Sequence, residues 1–173
     1  YGLAFLSRFP ISVTKSEILL TMEKNEGLIA VWITVEIEGR VVHVVNTHFD
    51  HRLRDRRVAA RKLLGPNWLG NPTFKKGNVV LCGDLNTPPI SPLYWKTTRH
   101  LRDTRNTRGL NFFPCSLCPF TWPNPFPLAR IDYIFHSDSM VCRSHHVPRS
   151  SLAKIASDHL PVVADIETNE SAG

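Results

Sequence analysis

Four short segments place side chains able to bind metal or move protons at the ends of apolar runs: Asn46-Thr47-His48, Gly83-Asp84-Leu85-Asn86, Arg130-Ile131-Asp132-Tyr133 and Ser157-Asp158-His159. Strand ends are where a rigid scaffold aims groups into a common cleft, and residues two apart, such as Asp84 and Asn86, point the same way. Taken singly, most of these residues have an ordinary reading. Asp84 suits a turn after Gly83, Asn86 suits a loop cap, and His48 and His159 suit satisfied core histidines. Asp132 resists that treatment. It stands among Ile131, Tyr133, Ile134 and Phe135, where an ionised carboxylate is costly unless paired or bound to metal.

Brought together, the carboxylates Asp84, Asp132 and Asp158, the imidazoles of His48 and His159 and the Asn86 amide would repel and raise carboxylate pKa values unless a hard cation or an imidazolium sat among them. Oxygen ligands suit magnesium or manganese rather than zinc. Such a site favours phosphoryl chemistry: a metal neutralises the phosphate, a carboxylate orients or deprotonates water, and a histidine assists the departing oxygen. Ser157, Asp158 and His159 do not make a serine hydrolase, because three consecutive residues cannot supply nucleophile, base and orienter in the required geometry.

The elements that must position these groups follow from periodicity. Residues 1–12, with Leu3, Ala4, Phe5 and Leu6, read as a buried strand running into a loop. Val31, Ile33, Val35 and Ile37 alternate with Trp32, Thr34, Glu36 and Glu38, a strand with one face buried and one largely wet, Gly39-Arg40 turns the chain, and residues 41–47 return as the second strand of a hairpin. A basic amphipathic helix follows, carrying Arg52, Arg54, Arg56, Arg57, Arg61 and Lys62, with Leu53, Ala60 and Leu64 expected to face inward. It holds no interleaved aromatic residue for base stacking, so its cations read as a solvated face. Asn78–Cys82 is a short apolar strand, Ser91-Pro92 opens a short helix, and Arg130–Phe135 and Leu160–Ile166 are further strands. The Pro- and Asn-rich stretch between Thr104 and Pro127 reads as a long ordered loop. Irregular alternation with a hairpin argues for a mixed α/β fold rather than a purely parallel one.

The chain has 173 residues, 42% of them hydrophobic, enough for one ordinary core and too little for two. A formal charge of +6 favours anionic partners without choosing a reaction. Cys115 and Cys118 have zinc-ligand spacing, yet Cys82 falls within an apolar strand and Cys142 far off, so neither a closed zinc site nor a disulfide is expected. No run approaches the roughly 20 apolar residues of a membrane span, and the chain reads as cytoplasmic.

Together with Ser7-Arg8-Phe9-Pro10, the segments Asn46-Thr47-His48, Gly83-Asp84-Leu85-Asn86, Arg130 to Phe135 and Ser157 to Pro161 resemble, in order, the signature of the endonuclease/exonuclease/phosphatase superfamily. The resemblance spans nearly the whole chain and is greatest to small bacterial metal-dependent hydrolases. It implies an α/β fold, a four-layer α/β sandwich of two packed mixed β-sheets flanked by helices, over residues 1–167, with a polar tail at 168–173. It also implies divalent-metal-dependent phosphoester hydrolysis by attack of water on phosphorus, with Mg2+ or Mn2+ as cofactor. The substrate would range from nucleic acid to a phospholipid headgroup, with no obligate protein partner.

Position by position, Asp84 matches the carboxylate that orients the attacking water, and Asn86 the amide that contacts phosphate or metal. His159 matches the histidine that holds the phosphate and exchanges protons, with Asp132 as its orienting partner. His48 matches a second histidine that stabilises phosphate or leaving group, and Asp158, with Asp84 and Asn86, the metal ligands. Members also carry an Asn on the first strand and a Glu shortly after it, positions that would fall upstream of Tyr1. Glu17, Glu23 and Glu26 all follow the Ser7-Arg8 motif and cannot fill them. The chain is therefore expected to be N-terminally truncated. The alternative reading is a non-catalytic, anion-binding member of the same fold.

Overall fold

A computed structural model describes residues 2–21, 27–106 and 120–169. Strands β1 (Ile11–Thr21), β2 (Gly27–Ile37), β3 (Arg40–His48), β4 (Asn78–Asp84), β5 (Arg102–Asp103) and β6 (Asp132–His136) form one mixed sheet in the order β1-β2-β3-β4-β6-β5. Strands β7 (Met140–His146) and β8 (Val163–Thr168) pair antiparallel as a second, smaller sheet. Helices α1 (Leu53–Leu63), α2 (Pro72–Lys76), α3 (Pro92–Thr97) and α4 (Ser151–Ala156) complete the mixed α/β arrangement that the motifs imply.

The β2–β3 hairpin turns through Glu38 and Gly39, both at positive φ (51° and 75°), the twist that a two-residue hairpin favours. β3 then runs parallel to β4, a pairing that needs a long crossover, and α1 and α2 supply it. Asn71 and Ser91 cap α2 and α3 by accepting from Thr73 N and Tyr94 N. Alternation sends Val45, Val79, Leu81, Tyr133 and Phe135 to one face of the sheet, where they pack with Ala59, Ala60 and Leu63 of α1 and with Trp68, Phe74 and Tyr94. Each large side chain buried there contributes about 1.5–3 kcal/mol. On β1, Glu17 takes both Lys15 and Lys62 and accepts from Trp68 Nε1, fastening the strand to α1; these partners hold its carboxyl down at about 2.

Several sequence expectations need correction. Residues 2–10 are not a strand: Leu6 is fully exposed, pairing starts at Ile11, and no described strand lies beside Leu3–Leu6 to supply a ladder. On α1, Leu53 is exposed and Leu63 is buried, because the buried residues of the helix begin only at Ala59. β6 begins at Asp132 rather than Arg130, and the last strand begins at Val163. Strand β7 and helices α2 and α4 carry too short or too polar a pattern to stand out. Cys82 and Cys142 are free thiols, and Cys115 and Cys118 lie outside the described residues. No helix among the described residues is long and apolar enough to cross a membrane.

Where β5 meets β6, Asp103 and Arg130 form an almost wholly buried ion pair at 2.6 Å. Tyr94 Oη donates to Asp103 at 2.8 Å, Arg105 N at 3.0 Å, and the guanidinium lies over the Tyr133 ring. Burial works against the Asp103 carboxylate, but Arg130 and these donors outweigh it and hold its pKa below the usual range. Asp103→Ala would strand a buried cation, so it is expected to cost about 3–5 kcal/mol in urea unfolding. A loss under about 1 kcal/mol, the level of an exposed pair, would refute this account of the pair.

Candidate active site

Register builds the site. β3 opposes β4 with His48 against Asp84, and β4 opposes β6 with Asp84 against Asp132. Directly opposed residues project from the same face, so His48, Asp84 and Asp132 form a row across three strands. Gly83 makes the row possible. At φ 137° it lies so close to β3 that a Cβ would stand 1.8 Å from Thr47 O, which no side chain tolerates.

The other groups arrive on loops. His159 Nδ1 donates to Asp132 at 2.9 Å, which leaves Nε2 facing Asp84 at 4.0 Å. His48 Nε2 lies 3.6 Å from the same carboxylate. Asn86 sits at φ 46°, a left-handed conformation that Asn tolerates better than most residues. From there its backbone N–H donates to Asp84 Oδ1 at 2.7 Å. Its amide reaches Phe49 O at 2.7 Å, Asp84 Oδ2 at 3.2 Å and His48 Nε2 at 3.3 Å. The structure thus brings His48, Asp84, Asn86, Asp132 and His159 together. Asp158 is exposed beside them, bonded to Ser157 Oγ at 3.4 Å and felt electrostatically by Asp84 and His159.

These surroundings set proton affinities. Burial pushes the Asp84 carboxyl up to about 6, reinforced by repulsion from Asp132 and Asp158 and opposed by the Asn86 N–H. Burial disfavours the His159 imidazolium, yet the hydrogen bond to Asp132 and the nearby carboxylates outweigh it and raise its pKa. His48 moves down, through burial and then the charge of His159. Asp84 is therefore ionised near neutral pH, and of the two histidines His159 is the more readily protonated.

Ligand atoms of Asp84, Asp132 and His159 lie within 4.8 Å of one another, a spread that fits a divalent cation. The group opens on a cavity of about 560 Å³, walled also by Cys82, Ile134 and Leu160.

The described part of the loop before β6, from Phe120, braces the site. Thr121 O accepts from Leu160 N, and Asn124 N donates to Asp158 O, each at 2.8 Å. The Asn124 amide donates to Lys154 O and Ser157 O. Half-exposed Trp122 lies with its ring 6.5 Å from that of His159. The remainder of that loop, 107–119, lies outside the described residues.

The sequence pattern of the Endonuclease/Exonuclease/phosphatase family matches residues 1–159. The chain belongs to that family. Solved structures share its fold. A Bacteroides vulgatus endonuclease/exonuclease/phosphatase is 22% identical, with a TM-score of 0.68 over 92% of this chain and 67% of its own. A Bacteroides thetaiotaomicron mannosyl-6-phosphatase is 21% identical, with a TM-score of 0.70 over 91% of this chain and 67% of its own. The human Nocturnin catalytic domain, solved with a bound sulfate anion, is 25% identical, with a TM-score of 0.71 over 95% of this chain and 62% of its own. No curated protein matches significantly by sequence.

Proposed function

We propose that this chain hydrolyses a phosphoester with the help of a divalent cation, magnesium or manganese. The observation that carries the proposal is the row of His48, Asp84 and Asp132 closed by His159, with its Nδ1 on Asp132 and its Nε2 turned to Asp84. Asp132 is engaged by His159, so Asp84, with Asp158, would hold the cation, and the Asn86 amide, which turns its NH2 toward Asp84, would donate to the phosphate. Once bound, the ion would supply charge neutralisation on the phosphate and a more acidic water.

The chain's own groups then have distinct tasks. Asp84 orients the attacking water and takes its proton. Asp132 fixes the His159 tautomer, leaving Nε2 to hold a phosphate oxygen and to protonate the departing one. Neutral His48 offers a hydrogen bond on the far side of Asp84. The excess of Lys and Arg, 21 against 15 acidic residues, favours anionic ligands in general. A phosphatase and a sulfate-bound catalytic domain among the structural neighbours support an anionic phosphoester substrate.

The test is turnover of bis(4-nitrophenyl) phosphate and 4-nitrophenyl phosphate by the full chain. Activity should vanish in EDTA and return with added magnesium or manganese. A rate indifferent to EDTA would overturn the metal dependence. Phosphate binding without turnover in either metal would leave the anion-binding reading instead.

A further inference from the structure

Most arginines of α1 form the solvated face that the sequence suggests: Arg54, Arg57 and Arg61 are exposed. Arg56 differs. It precedes Ala60 and Leu63 by four and seven residues, which puts it on the stripe that those buried side chains occupy. Its guanidinium Nη1 donates to the backbone carbonyl of Asn86, to His51 O at 3.3 Å and, more weakly, to Asp50 O at 3.5 Å. Those carbonyls lie on two different loops, one leaving β3 just after His48 and the other leaving β4 just after Asp84.

We propose that Arg56 is a positioning residue: by joining these two loops it holds Asn86 in the left-handed conformation from which its amide reaches Asp84, His48 and the Phe49 carbonyl. The effect on catalysis rests on the reading of Asp84, Asn86 and His48 given above. A non-glycine residue stays left-handed only when its surroundings fix it from several sides. Asn86 is fixed from three: its N–H by Asp84, its side-chain amide by Phe49 O, Asp84 and His48, and its carbonyl by Arg56. The carbonyl bond is the one supplied from outside the two loops and the row. A guanidinium suits it, being permanently charged, flat and rich in donors, so one group can bridge carbonyls from separate segments. Without it, the Asn86 peptide is free to rotate and the amide loses its aim.

The experiment compares Arg56→Ala, Arg56→Lys and the exposed control Arg57→Ala in the full chain, by two readouts. With bis(4-nitrophenyl) phosphate and magnesium, Arg56→Ala should lower kcat by about 10- to 100-fold, the scale of a misplaced reacting group. KM should stay within about threefold, and Arg57→Ala should leave both within about twofold. By NMR hydrogen exchange, the Asn86 amide should open about 10-fold more readily in Arg56→Ala, while Val44 and Leu81 in the ladder keep their protection. Arg56→Lys keeps the stem and charge, supplies a folded variant if Arg56→Ala does not fold, and should shift both readouts in the same direction. Unchanged Asn86 exchange, or equal acceleration throughout the ladder, would overturn the proposal. If wild-type protein turned over neither probe ester, the hydrolase reading would fail, and exchange at Asn86 alone would decide whether Arg56 positions it.

Discussion

Asp84→Asn is expected to lower magnesium-supported turnover by about 100-fold or more, the scale for losing a positioned base, with substrate binding largely retained. The substitution is nearly isosteric. An Asn side-chain oxygen can still accept the Asn86 N–H that Asp84 Oδ1 accepts at 2.7 Å, so the turn after β4 should survive. What disappears is the charge. Asp84 is the shared neighbour of the site, 3.6 Å from His48 and 4.0 Å from His159, and its burial pushes its pKa to about 6, where a carboxylate is basic enough to take a proton and still ionised near neutrality. Steady-state kinetics beside an isothermal titration with inorganic phosphate would separate turnover from binding. Turnover near the wild-type rate would remove Asp84 from the chemistry.

The second large effect is a failure of additivity. Asp132→Ala and His159→Ala should each reduce turnover by about 100-fold or more, and the double variant should be scarcely worse than the more damaged single one. The 2.9 Å bond between His159 Nδ1 and Asp132 makes them one device. Without Asp132, the imidazole loses the partner that fixes its tautomer and the interaction that raises its pKa against burial. Without His159, Asp132 has nothing to orient. A double-mutant cycle measures this directly, and losses that simply add would mean that the two residues act separately.

Much of this arrangement is legible in the sequence because local rules and tertiary structure agree there. The alternation in Val31 to Ile37 and the branched run at residues 41–45 give the hairpin. The apolar stretch ending in Gly83-Asp84 gives the strand that carries the central carboxylate. Asp132 announces itself as a charge among apolar neighbours. The misses have a common cause, which is that pairing and bracing are long-range. Leu3 to Leu6 have strand composition, but composition does not supply a neighbouring strand. Thr121 and Asn124 look like ordinary loop residues, and only the fold sets them against the segment bearing His159. Arg56 was hidden among cations, although a signal existed. An arginine four residues before a buried alanine and seven before a buried leucine breaks the apolar stripe, and such a break needs a polar destination.

The row of His48, Asp84 and Asp132 also divides the molecule by how freely it can evolve. Three of the groups are locked by ladder hydrogen bonds at the centre of the main sheet, and a shift of one residue in pairing would turn each of them to the opposite face. Even Gly83, which performs no chemistry, has no accessible replacement, since a Cβ there would stand 1.8 Å from the Thr47 carbonyl oxygen. The exposed side chains of α4 lie instead on a surface helix, where substitutions disturb no ladder. Substitutions there can therefore reshape the rim of the cleft, and with it the molecules admitted, without disturbing the row beneath.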